Sequence, residues 1–315
     1  MRTRPIPNTA PAHVTLTELP RRAFMALTAA GLAFPAHAQV AAVPKPLPAY
    51  ELEKLDGVKF GRGVQITNKW LPMKPGTRYV YEGTAVEDDG KLVPRKIVLN
   101  ITDLMKVIGG VPTLISYDLD YSDNELVEAE LAFYAQDDNG NVWRFGEYPE
   151  EYEDGKFKKA PAWMHGYQGA HAGIMMKAEP KLGTPSYSQG YGPAVNWTDR
   201  GTTYKMGLDV TVRHGQYKDV MVVRETSRDE SAADAYQLKY YAAGVGNIKV
   251  GWEGTGEKTK ETMELTVVET LSPKEMASVR NKALALEKSA YTRSKLVYGP
   301  TSRSKIMPPV KAASR

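Results

Sequence analysis

Two stretches of this chain, 107 residues apart, share one pattern: Tyr134-Ala135 leads to Gly140-Asn141-Val142, and Tyr241-Ala242 leads to Gly246-Asn247-Ile248. Each tyrosine follows by 58 residues the glycine of a Gly-Thr pair, Gly76-Thr77 or Gly183-Thr184, and at the same offset Gly83 falls on Gly190, Leu131 on Leu238 and Phe133 on Tyr240. A fixed period is how a repeated supersecondary unit shows in sequence. Around both copies run short β-branched segments bounded by Gly, Pro or Asp, as strands are: Ile97–Ile101, Thr113–Tyr117, Val210–Val212, Val220–Val223 and Leu265–Val268. The expectation is a mainly β chain built from two related antiparallel β-sheet modules, each a curved sheet or half-barrel. The first would span 68–160, and the second 161–271 with a glycine-rich crossover.

One helix is legible. Ser272 suits the N-cap, Pro273 the first helical position and Glu275 the third, which completes a capping box. Met276, Val279, Ala283 and Leu286 then form one apolar stripe, so a C-terminal helix over 272–293 is expected to dock on a sheet, followed by a disordered basic tail over 294–315.

At the other end, Arg21-Arg22-Ala23-Phe24-Met25 precedes an apolar run from Ala26 to Ala36 that closes on Ala36-His37-Ala38, the order of an export signal over residues 1–38. The paired arginines resemble a twin-arginine signal, although Pro20 stands where Ser or Thr is usual. Residues 39–67 read as a Pro- and Ala-rich arm or linker. No run reaches the roughly 20 apolar residues of a membrane span, so no transmembrane segment is expected and the mature protein should be periplasmic or secreted.

The absence of cysteine excludes disulfides, covalent haem attachment and thiolate chemistry. The chain charge of +4 falls to +1 once residues 1–38 are removed, and that small value divides into +8 over 280–315 and −7 over 39–279. The basic tail is expected to contact the chain's own acidic body or an anionic surface. Nucleic acid is not an expected partner of an exported protein.

From Asp118 to Asp154 there are thirteen Asp/Glu and one base, Arg144, whereas the equivalent window of the second copy, 225–261, has seven acids and five bases. Asn139-Gly140 between strand-like runs signals a hairpin with a two-residue type I′ turn. In that register Gln136 faces Trp143 and Tyr134 faces Phe145. Val127, Ala129, Leu131, Phe133 and Ala135 then form a core face. The opposite face carries Glu128, Glu130, Tyr134 and Gln136 with Trp143, Phe145 and Glu147, a groove for a cation, a sugar-like polyol or a polar ligand; Glu128, Glu130, Tyr134, Gln136, Trp143, Glu147 and Trp163 are the candidate binding residues for a small-molecule or lipidic ligand. The competing reading packs this face under the second copy or under the basic helix.

The segment from Trp163 to Met176 is the most unusual in composition. His165, His171, Met175 and Met176 offer imidazole and thioether donors of the kind copper takes, against a plainer reading as a glycine-rich crossover. No serine-hydrolase elbow, zinc-protease, phosphate-loop or dinucleotide motif is present, so no cofactor is expected and no catalytic residue is assigned. A binding or carrier protein is the first expectation. A carboxylate-dependent hydrolase or lyase acting on a carbohydrate or ester, through Glu128, Glu130 and Glu147, is the alternative, and copper handling a further one.

The runs Tyr134-Ala135-Gln136-Asp137…Gly140-Asn141-Val142-Trp143-Arg144-Phe145-Gly146-Glu147, Trp163…Gly169-Ala170…Gly173-Ile174…Met176 and Lys239-Tyr240-Tyr241-Ala242…Gly244-Val245-Gly246 resemble a family of exported bacterial proteins of unknown function, over about residues 68–268. Gln168, Ala172 and Val195-Asn196-Trp197 depart from that family's usual Asp, Pro and acidic stretch, and His165 is not a usual family residue. The last run is also similar to the closing hairpin of periplasmic lipoprotein-carrier-like antiparallel-sheet proteins. That likeness implies a curved sheet with an apolar concavity and no particular reaction.

Overall fold

The computed structural model describes residues 51–308 apart from 62, 88 and 228–233; the export signal, residues 39–50 of the arm and residues 309–315 of the tail lie outside the described residues. The alternating runs become strands β1 (Thr77–Val86), β2 (Leu92–Ile108), β3 (Val111–Ser122), β4 (Glu125–Gln136), β5 (Val142–Glu153), β6 (Lys156–Lys159), β7 (Trp163–Met164) and β8 (His171–Met176). They continue as β9 (Tyr187–Gly192), β10 (Trp197–Val212), β11 (Gly215–Thr226), β12 (Tyr236–Ala242), β13 (Gly246–Glu253), β14 (Thr262–Thr270) and β15 (Lys305–Ile306). Two helices, α1 (Pro273–Arg293) and α2 (Lys295–Tyr298), precede β15.

The mainly β expectation with a C-terminal helix is met, but the two modules are not separate sheets. Strand order runs β1-β14-β13-β12-β11-β10-β9-β8-β5-β4-β3-β2, and β1 pairs with β2 as well as β14, so twelve antiparallel strands close into one barrel. The physical reason is the edge problem. Two half-barrels would each leave edge strands with unpaired backbone groups, and closure removes them. Strands β1 to β5, shifted by 107 residues, overlap β9 to β13 in order.

Alternation along the strands builds two cores. Tyr79, Tyr81, Ile97, Ile101, Tyr134, Met175, Tyr241, Val250 and Met263 pack in the interior of the barrel. Leu104, Ile115, Leu131, Phe133, Phe145 and Tyr148 face outward and are covered by Val279, Ala283, Leu286 and Ala290 of α1. Leu55, Val58 and Phe60 of the arm cover part of the same outer core. Burying those outward side chains under α1 is worth roughly 1.5–3 kcal/mol for each large one. The capping box is present as read, with Glu275 N–H donating to the Ser272 side chain.

The tail departs from expectation. Beyond Ser294 the chain forms α2 and then β15, which pairs with β2, and Tyr298 is fully buried. Lys106 on β2 organises this, since its side chain, 0% exposed, donates from Nζ to Glu287 Oε1 (2.9 Å), the Tyr291 hydroxyl (3.1 Å) and the Ser302 carbonyl (2.6 Å). A buried lysine with three acceptors fixes the segment that composition alone marks as solvated. Arg280 and Arg293 of α1 pair with Asp103 and Glu150 of the barrel.

Candidate ligand-binding cavity

The β4–β5 hairpin decides which side chains enter the barrel. Asp137 N–H donates to Asn141 O and Gly140 N–H to Asp137 O (both 3.0 Å), and Gly140 has φ +93° while Asn139 is not among the positive-φ residues. This is a three-residue loop with a type I turn and a glycine bulge, not the two-residue type I′ turn. Gln136 therefore pairs with Val142, Ala135 with Trp143 and Tyr134 with Arg144. A one-residue slip exchanges the faces of a strand. Trp143 consequently leaves the acidic face for the outer core, where its Nε1 donates to Asp137 Oδ2 (2.8 Å) and its ring meets Phe60 edge-on at 6.1 Å. Arg144 takes its place facing inward. A second irregularity, a bulge opposite Phe133 and Tyr134 at Gly146 (φ +153°), flips β5 back, so Glu147 sits opposite Ala132 and faces in while Tyr148 faces out.

The cavity so formed has a volume of about 110 Å³ and draws its lining from nine of the twelve barrel strands, which places it inside the ring. It has two unlike walls. Tyr79 and Tyr81 of β1, Ile97, Leu99 and Ile101 of β2, Val250 of β13 and Met263 of β14 form an apolar and aromatic wall. Asp118 and Asp120 of β3, Glu130 and Tyr134 of β4, Arg144 of β5 and Lys239 and Tyr241 of β12 form a charged one.

One end is crossed by the segment before β1. Asn68 Nδ2 donates to Gly140 O (2.8 Å) in the β4–β5 loop, and Gly244 N–H in the β12–β13 loop donates to Lys69 O (2.8 Å), so this strap joins hairpins from opposite sides of the ring. Leu71, Pro72 and Met73 of the strap line the cavity. Gln136 belongs to this arrangement rather than to the acidic face: its Oε1 accepts from Thr67 N–H (2.7 Å) and Asn68 N–H (2.8 Å).

On the charged wall Arg144 donates to Glu147 Oε2 (2.9 Å) and to the Tyr134 hydroxyl (2.7 Å). Glu147 also accepts from Trp163 Nε1 (2.8 Å), and Trp163 stacks on Trp197 at 4.6 Å, a fixed aromatic prop behind the carboxylate. Across the lumen Lys239 pairs with Glu225 at 2.6 Å, and Glu225 accepts from Gln189 Nε2 at 2.7 Å. Asp118 lies opposite Glu130, and Asp120 opposite Glu128, in adjacent strands. Like charges directly opposed on a sheet are unfavourable.

The electrostatic result is a wall of acids held out of their ordinary range. Desolvation, then neighbouring carboxylates, raises Glu128 and Glu130 well above the usual carboxylate range. Desolvation likewise raises Asp118 and, against the pull of Arg95, pushes Asp120 up to about 7. Glu147 is raised by desolvation and pulled back by Arg144 and by hydrogen bonds from Trp163 and Glu130. Glu130 Oε1 and Asp118 Oδ1 have no hydrogen-bond partner, nor has Asp120 Oδ2, although that atom lies 3.8 Å from Arg95.

Of the residues singled out from sequence, Glu128, Glu130, Tyr134, Glu147 and Trp163 come together along this wall, while Trp143 and Gln136 serve the outer core and the strap. The wall also contains Asp118, Asp120, Arg144 and Lys239, which the sequence reading did not select. The Asp118/Asp120 spacing of two is the available signal, since i and i+2 share a strand face, but its meaning depends on the pairing with β4. The His/Met group is split: the His165 and His171 rings meet edge-on at 5.8 Å, with His165 also against Phe145 at 5.7 Å and accepting from Ala172 N–H and His171 exposed, whereas Met175 lines the cavity and Met176 is buried in the interior core. Among the described residues no group of three His, Cys, Asp or Glu is placed to hold a metal ion. Asp137, an oxygen-rich turn residue, spends its carboxylate on Asn141 and Trp143.

No protein-family model matches the chain, and no curated protein matches it. Among solved structures, a protein of Bacteroides fragilis described as exported with a YmcC-like fold is similar at 11% identity and a TM-score of 0.39, covering 64% of this chain and 99% of its own. A protein of Parabacteroides distasonis described as a lipoprotein is similar at 11% identity and a TM-score of 0.29, covering 63% of this chain and 97% of its own. Likenesses this distant assign neither family nor activity.

Proposed function

We propose that this chain is an exported binding or carrier protein that holds one small amphipathic or lipidic ligand inside its barrel. The observation that carries the reading is the two-faced cavity, an apolar wall facing a wall with unpartnered carboxyl oxygens, inside the barrel. Apolar lining with a few convergent polar groups is the ordinary composition of a small-ligand site. Export rests on the Arg21-Arg22 signal ending at Ala38. No helix among the described residues is long and apolar enough to cross a membrane. On the barrel exterior β1 and β14 display Arg78, Glu82, Glu264 and Glu269, side chains that belong in water.

The two oxygens of Glu147 are occupied by Arg144 and Trp163, which favours binding over carboxylate hydrolysis for this pair. A neutral test amphiphile is n-pentanol, followed by saturation-transfer NMR. Transfer to the pentyl chain is expected in the mature protein and is expected to vanish in Val250→Phe, which fills the apolar wall. Met263→Phe, judged beside it by circular dichroism, covers the case in which the first variant misfolds. Equal transfer in wild type and a folded filled variant would place the ligand elsewhere and end the reading.

A further inference from the structure

We infer that the group this cavity takes at its charged wall is a protonated amine, so that the ligand is an alkylammonium-type cation with its apolar part against Ile97, Leu99, Val250 and Met263. The inference rests on the lumen being the binding site and goes further by fixing the sign of the ligand's charge.

Charge balance is the first argument. Among the described residues the lumen gathers the carboxyls of Asp118, Asp120, Glu128, Glu130, Glu147 and Glu225 around the bases Arg95, Arg144 and Lys239. Burial and mutual repulsion hold most of these acids in their protonated form, so an entering cation lets them ionise against it, whereas an entering carboxylate or phosphate adds to the crowding of acids in a site where charge is poorly screened.

Hydrogen-bonding capacity is the second. Arg144 already donates to Glu147 and Tyr134, and Lys239 holds Glu225, so the bases are committed to acids of the wall itself. The oxygens left without a hydrogen bond at the cavity are Glu130 Oε1, Asp118 Oδ1 and Asp120 Oδ2, on residues of which Glu130 is 4% and Asp120 3% exposed. Asp118 and Glu130 stand opposite each other on adjacent strands with Asp120 two residues along, so acceptors for an ammonium's N–H donors lie on one stretch of the wall. A buried polar atom lacking a partner is costly, and an ammonium supplies the missing donors.

Geometry argues against a metal ion in the same place. No described group of three His, Cys, Asp or Glu converges closely enough to ligate one. An ammonium accepts longer, looser contacts than a coordination sphere permits.

The test compares three probes with one tail: n-pentylammonium, n-pentanol and n-pentanoate, added to the mature protein at neutral pH and titrated by NMR. Pentylammonium is expected to bind at least tenfold tighter than pentanol, and pentanoate more weakly than pentanol. Glu130→Gln should bring the ratio of pentylammonium to pentanol affinity down to about one, with folding judged separately by circular dichroism. Asp120→Asn serves if Glu130→Gln fails to fold. Pentanoate binding as tightly as pentylammonium, or pentylammonium gaining nothing over a bound pentanol, overturns the amine assignment and leaves the lumen reading standing. No binding of any of the three overturns both.

Discussion

The two hairpins with matching sequence motifs, β4–β5 and β12–β13, live in different environments. Ten consecutive residues of β4 are buried, from Val127 to Gln136, and ten of β5, from Val142 to Glu151, because one face looks into the lumen and the other lies under α1, α2 and the arm. In β12 and β13 the burial alternates, and Tyr240, Lys249 and Trp252 reach toward solvent. A strand buried on both sides has no solvent face on which to place charge. The carboxylates of β4 and β5 therefore mark an interior polar site, whereas Lys249 of β13 marks an exterior wall. The difference teaches that similar motifs on one ring acquire opposite roles from what covers them.

The strongest way to break this comparison is to remove a charge from each hairpin. Arg144→Met deletes a guanidinium buried between Glu147 and Tyr134, and losing one partner of a buried pair costs about 3–5 kcal/mol. Lys249→Met removes a partly exposed ammonium over the Tyr240 ring, and should cost less than about 1 kcal/mol. Urea unfolding of both variants gives the ratio. Equal losses would mean that the two hairpins are equally solvated, contrary to the packing described.

The second measurement is the pH dependence of stability. Asp118, Asp120, Glu128, Glu130 and Glu147 are all raised in the folded state, chiefly by desolvation, so at neutral pH the folded chain binds more protons than the unfolded one. Stability from these groups is complete below their unfolded pKa values of about 4 and is lost as pH rises through the folded ones, for Asp120 between 3.8 and about 7. The urea midpoint should be lower at pH 8 than at pH 5. Asp120→Asn should flatten the slope, while Glu264→Gln on the exterior of β14 should leave it unchanged. A midpoint that climbs toward pH 8 would refute the buried-acid account.

Much of this fold was readable from residues. Val220–Val223 and Leu265–Val268 lie in strands as expected, and Ser272-Pro273…Glu275 starts α1 because capping is a local interaction. Glu128, Glu130 and Tyr134 were legible as one polar face because side-chain direction follows from parity within a strand; Glu147 joins them only because the extra loop residue and the bulge at Gly146 offset one another. What was not legible depends on distant pairing. Closure of the barrel requires β1 to find both β2 and β14, and no local pattern states that. Lys106 and Glu287 are 181 residues apart, so the ordering of the tail could not be seen in its basic composition. Trp143 and Arg144 exchanged faces for a smaller reason, a single extra residue in a turn.

That turn supplies the finest test of the comparison, because two substitutions one residue apart separate the alternatives. In the observed loop only Gly140 has positive φ, and a methyl group there would also meet Ala178 Cβ at 3.2 Å, so Gly140→Ala should cost about 1 kcal/mol or more. Asn139 is exposed with negative φ, and Asn139→Ala should fall within about 0.5 kcal/mol of wild type. In a type I′ turn both positions need positive φ, and both substitutions would be costly. Comparable losses would therefore restore the two-residue register, return Trp143 to the acidic face and remove Arg144 from it. The charge balance of the cavity rests on that one residue of loop length, since Arg144 is the only base among the thirteen acids from Asp118 to Asp154.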